Sequence, residues 1–177
     1  MKLIYYLCFL GFLTFIACKK EKIIQPSATP YWGEMSVNKN GVAWAALPVA
    51  SPNLSAGYGL NIFFDSIDQF NALREEVGIY KVPYNPGTYP ITYTAIGKND
   101  SLIGAQFLYA QHDLILGYYD VLTSDTTNYV TLLSYDSVSR EIKGTFGITF
   151  IATHKPFADA PDTIRLRDGA FHTKVAK

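Results

Sequence analysis

From Tyr31 onward apolar and polar positions alternate over short stretches, and no apolar stripe with a 3.6-residue period runs for ten residues or more. Runs rich in Val, Ile, Thr, Tyr and Phe are punctuated by Gly, Pro, Asn and Asp, the pattern of strands and tight turns. Residues 140–153 show it best, with Ile142, Gly144, Phe146, Ile148 and Phe150 on one face. Strands are expected at 34–38 and 41–47, joined by Asn38-Lys39-Asn40-Gly41, whose Asn-Gly supplies the positive φ of a hairpin turn. Others are expected at 58–65, 75–82, 88–96, 102–111, 114–122, 127–136, 140–153, 162–167 and 170–175, the last two meeting in a bend at Asp168-Gly169. Residues 47–57, with two prolines and small side chains, read as a loop. Ser66 with Gln69 three residues on fits a capping box, so one or two helical turns are expected over 67–73. Nine or ten strands at this spacing predict an all-β domain, either an antiparallel sandwich or an open barrel, with at most one short helix.

The first thirty residues follow a different pattern. Lys2 is followed by a charge-free run over residues 3–17, which rises about 22 Å as a helix, short of the hydrocarbon thickness. A basic start and an apolar stretch of this length describe an export signal. Phe15-Ile16-Ala17-Cys18, then Lys19-Lys20-Glu21-Lys22, resembles the lipobox of bacterial lipoproteins. That resemblance implies cleavage between Ala17 and Cys18 and lipid attachment at Cys18; Cys8 lies too early in the run. One acyl chain, at about 0.8 kcal/mol per buried methylene, holds a protein only marginally, whereas two or three anchor it stably. The expected organisation is a removed signal peptide at 1–17, a lipidated tether at 18–30 and a single all-β domain at 31–177.

Charge and cysteine content then change meaning. The chain has 15 basic and 15 acidic residues. Setting aside Lys2, Lys19, Lys20, Lys22 and Glu21 leaves 11 basic and 14 acidic residues in 31–177, a body of −3. A mildly acidic body argues against a nucleic-acid partner. Once Cys18 carries lipid, the mature chain has no second cysteine for a disulfide. No pair among His112, His154 and His172 has the spacing of a zinc protease, and no nucleotide or hydrolase motif occurs, so neither metal nor cofactor is expected. Glu75 and Glu76 face opposite sides of a strand and make no acid/base pair with each other. Asp65 and Asp120 are the carboxylates considered for a hydrolase.

The aromatic residues supply candidate ligand contacts, of which Trp32, Trp44 and Tyr84 are the foremost; filling strand faces is the competing use of such side chains. Five of ten aspartates precede Ser or Thr and then an apolar residue or Thr. These triplets resemble the O-glycosylation sequon of exported Bacteroidota proteins, which would place glycans on Ser66, Ser101, Thr126, Ser137 and Thr163. Turn capping by Asp accounts for the same pattern. The series Pro86-Gly87-Thr88-Tyr89, Thr131 to Asp136, Lys143-Gly144-Thr145-Phe146 and Leu166 to Phe171 resembles uncharacterised β-rich lipoprotein domains of Bacteroidota-type envelopes. The resemblance implies an all-β fold and an envelope location and names no reaction. The expectation is a non-catalytic, lipid-anchored binding or interaction module, most readily at the outer membrane, for a glycan, a peptide or another envelope protein. A structural accessory of an envelope complex and a hydrolase are the alternatives.

Overall fold

The computed structural model describes residues 31–53, 59–93 and 102–176. Ten strands follow in order: β1 Gly33–Lys39, β2 Val42–Pro52, β3 Leu60–Ile67, β4 Leu73–Val82, β5 Gly87–Pro90, β6 Gly104–Gln111, β7 Leu114–Val121, β8 Tyr129–Tyr135, β9 Glu141–His154 and β10 Thr163–Lys174. Among the described residues there is no helix. All strand pairings are antiparallel and join one sheet in the order β10-β1-β2-β3-β4-β6-β7-β9-β8-β5. A further pairing of β10 with β9 closes eight of these strands into a ring.

The ring is uneven because β9 is longer than either neighbour on one edge. Its upper part, Phe150 to His154, pairs with β7, while Ile142 to Gly147 pairs with β8. β5 then pairs with β8, and Tyr93 bridges to Gly104 at the start of β6. The space below β7 is thus filled by β8, β5 and the residues that follow β5. The loop between β7 and β8 is locked by Asp125, whose carboxylate accepts from Thr127, from the Thr149 hydroxyl at 2.6 Å and from Arg167 at 3.2 Å. Asn128 completes the lock, accepting from the Thr149 N–H at 2.7 Å and donating to the Leu122 carbonyl. Asp125→Ala leaves Thr127, Thr149 and Arg167 short of an acceptor, and a loss of about 1–3 kcal/mol in urea unfolding is expected.

Alternation sends one set of side chains inward from every wall. Met35, Val37, Leu60, Ile62, Phe64, Val77, Ile79, Phe107, Tyr119, Phe146, Ile148, Phe150, Ile164 and Leu166 are buried together. Phe64 stacks on Phe146 with ring centroids 5.0 Å apart and meets Phe171 at 5.5 Å, although β3 neighbours neither β9 nor β10. Opposite walls therefore touch, and the interior is packed with side chains as in a sandwich.

Four sequence expectations are corrected in detail. Residues 47–52 are strand, the second half of β2 paired with β3. The Pro48 carbonyl accepts from Thr173, so its missing N–H faces the edge away from β3 and removes no ladder bond there. The helical turns expected over 67–73 are a tight turn. Ser66 lies in the β3–β4 ladder opposite Glu75, and Asp68 accepts from the N–H groups of Phe70 and Ala72. Of the strand expected at 88–96, residues 88–90 fall in β5, and 94–96 lie outside the described residues. Conversely, 162–167 and 170–175 are one strand, bulged at Asp168, which has a φ of 56°. The Asn40–Gly41 turn forms as expected, with φ of 52° and 86°.

Candidate functional site

The strand directions sort the connections to two ends. The β1–β2, β3–β4, β6–β7 and β9–β10 turns share one end. The chain enters β1 at the other, which also carries the β2–β3, β4–β5 and β8–β9 connections. At the first end Val42, Phe70, Leu114, Ile115 and Phe157 keep between 52% and 76% of their surface exposed. Val42 and Ile115 hold inward-facing positions at the ends of their strands, beyond the last buried layer. Beneath them Lys39 pairs with Glu75, and its Nζ lies 5.0 Å from the Trp44 ring centre and 5.6 Å from that of Phe107. Burial, then the charge of Glu75, pushes the Tyr109 phenol upward, and Phe157 leans on that ring at 6.0 Å. This end is an apolar rim over a satisfied ion pair. Exposed apolar side chains occur elsewhere too, Val138 on the β8–β9 turn among them, but among the described residues the turns of the other end gather fewer.

A second constellation lies on the outer wall. Asp65 on β3 stands opposite Glu76 on β4, and both point outward because Phe64 and Val77 point in. The Tyr31 hydroxyl donates to Asp65 Oδ2 at 2.8 Å, while Asp65 Oδ1 is buried with no hydrogen-bond partner. Burial raises the Glu76 carboxyl to about 7, helped by the charge of Asp65 and a hydrogen bond to it. Burial also raises Asp65, opposed by the bonds from Tyr31 and Glu76. Tyr31, buried beside that charge, is pushed up to about 12.

Such a pair holds a proton that the unfolded chain has released between about pH 4.5 and 7. Stability is therefore fully present at the acidic side of that window and falls as the pH rises through it. Asp68, Asp125, Asp136 and Glu141 act oppositely, being held below the usual carboxylate range by hydrogen bonds. Their contribution is lost as the pH drops below about 4. A melting temperature highest in mildly acidic buffer is expected. Glu76→Gln, whose amide donates at every pH, is expected to remove the decline between about pH 4.5 and 7, read by thermal unfolding.

The residues singled out from sequence are scattered over the domain. Trp32 lies outside β10, edge-on to His172 at 5.0 Å with Lys174 Nζ 4.2 Å from its ring. Trp44 stands under the rim, and Tyr84 packs on Tyr135 at 5.1 Å near the opposite end. They form no common site. Asp120 is given to Thr153 and lies three strands from Asp65, about 14 Å of sheet, beyond the separation of paired glycosidase carboxyls. The partner of Asp65 is Glu76, which sequence reading missed. His112 occupies the β6–β7 turn, His154 stacks on Tyr118, and His172 bonds Glu141. Among the described residues no three His, Cys, Asp or Glu side chains gather as metal ligands would. Thr126 and Ser137 are exposed on turns whose Asp125 and Asp136 accept from Thr127 and Val138. Ser66 and Thr163 are half-buried in strands. Ala17, Cys18 and Ser101 lie outside the described residues.

An open depression of about 370 Å³ follows the β1–β2 hairpin, lined by Ser36, Val37, Asn38, Ala43, Trp44, Ala45 and Asp168, so of the aromatic candidates Trp44 alone borders it. The class defined is thus an all-β ring with a filled interior. No family model, no curated protein and no solved structure matches the chain.

Proposed function

We propose that this chain is a lipid-anchored, non-catalytic envelope lipoprotein, most readily at the outer membrane, and that its domain binds another envelope protein through the apolar turn end. The observation that carries the reading is the position of Val42, Phe70, Leu114, Ile115 and Phe157 at the end opposite the one where the chain enters the domain. A tether on Cys18 leads to the entry end, leaving the rim free to meet a partner. Five exposed apolar side chains gathered at one end suit a protein interface. Aliphatic side chains predominate there, whereas sugar platforms use exposed aromatic faces. The buried side chains of opposite walls touch across the interior, Phe64 on Phe146 and Phe171, which favours a surface contact over an enclosed cargo.

Two measurements test the two halves. Mass spectrometry of the native amino terminus is expected to show cleavage before Cys18 and an acylated cysteine; an intact Met1 or a free Cys18 thiol contradicts the anchor. Phe70→Asp with Leu114→Asp is expected to leave melting unchanged and to abolish migration in a larger complex on native gels of detergent-solubilised envelopes. Unchanged migration contradicts the interface.

A further inference from the structure

We propose that Asp65 and Glu76 share one proton and thereby latch Tyr31, the root of the amino-terminal segment, onto the outer wall of the ring, and that the latch opens when that proton leaves. Three features of the geometry carry this. The two carboxyl groups are direct cross-strand partners, so their Cβ atoms lie about 5 Å apart on one face. Asp65 is 9% exposed, and its Oδ1 is buried with no hydrogen-bond partner, which a proton on the facing Glu76 would satisfy. Tyr31 caps the other oxygen at 2.8 Å and precedes β1, so no ladder bond holds its own backbone to the sheet.

Among the described residues no cation enters the causes that shift either carboxyl. Across β2 the residue opposite Asp65 is Leu47, and across β6 the residue opposite Glu76 is Leu108, flanked by Gln106. On β4 itself Arg74 is bound to Asp68 at 2.6 Å, and Tyr80 contributes a phenol packed edge-on against Phe63. On β3 Phe63 and Ile67 flank Asp65. With both carboxyls ionised, two like charges face each other in a low-dielectric site and require water. Lifting Tyr31 admits water without breaking a strand pairing, because Tyr31 precedes β1. The latch acts on residues 31 and onward whether or not Cys18 carries lipid, so it stands or falls apart from the proposed anchor and interface.

The test is a carbon-13 NMR titration of the full chain in detergent micelles from about pH 5 to about pH 9, following the Glu76 carboxyl and the Tyr31 ring Cζ. The Tyr31 phenol does not itself ionise in this range. The expected result is a Glu76 midpoint near 7 with Tyr31 Cζ moving at the same midpoint, and a Tyr31 signal fixed at every pH in Glu76→Gln. A Glu76 midpoint among ordinary glutamates overturns the shared proton. A Tyr31 signal that ignores the Glu76 transition overturns the latch. Should Glu76→Gln fail to fold, the wild-type titration decides alone.

Discussion

Phe64→Ala is expected to lower the unfolding free energy by about 3–5 kcal/mol, the range for deleting a buried phenylalanine. The ring is fully buried and touches Phe146 and Phe171 across the interior. It therefore joins the β3 wall to the β9–β10 wall, which share no ladder bond with it. Packed strands on every side limit collapse into the cavity, so the upper part of the range applies. For a domain of this size that corresponds to a melting temperature lower by on the order of 10 °C. Chemical denaturation of wild type and variant gives the number. A loss below about 1 kcal/mol would mean that opposite walls do not depend on this contact.

Gly144→Ala is expected to cost about 3 kcal/mol, by overpacking. Gly144 lies on β9 between Leu132 of β8 and Phe171 of β10. A Cβ added there runs into the Phe171 ring and into the Thr131 carbonyl oxygen. The ring is wedged against Phe64 and Phe146, and the carbonyl is backbone of the adjoining strand, so neither has free space to retreat into. Gly41→Ala, by contrast, meets no atom within 4 Å and suffers only from its φ of 86°. Comparing the two variants separates lack of space from backbone strain. Equal losses would contradict the crowding at Gly144.

The strands were legible in the chain because their signals are local. Alternation over 142–150 and the Asn40-Gly41 pair require no knowledge of neighbours, and both appear where expected. Pro48 misled because its effect depends on which edge of β2 carries a partner, a property of the sheet. Ser66 misled because a capping box and a strand end before an Asx turn share the same residues; the β3–β4 ladder decided between them. The closure of β10 on β9, and the division of the other β9 edge between β7 and β8, are long-range choices that neither strand encodes alone.

The candidate sites divide along the same line. Glu75 and Glu76 were readable as facing opposite ways, and they do so, toward Lys39 and Asp65 respectively. The meeting of Asp65 with Glu76 follows from a register across the 68–72 turn, and four apolar or small residues around it give no hint of buried charge. The rim was unreadable for a related reason. Val42, Phe70, Leu114, Ile115 and Phe157 come from four separate connections, each unremarkable alone, and only the up-down order of the strands brings them to one end.

That end is where the functional reading is most exposed to test. A photo-reactive residue placed at Phe70, Leu114 or Phe157 in intact cells is compared with one at Val138, an apolar and more exposed position at the opposite end. The expected result is one adduct of the same mass increment from the three rim positions, formed with a single other envelope protein, and none of that mass from Val138. Adducts of equal yield from both ends, or adducts at the rim with this chain alone, would contradict it.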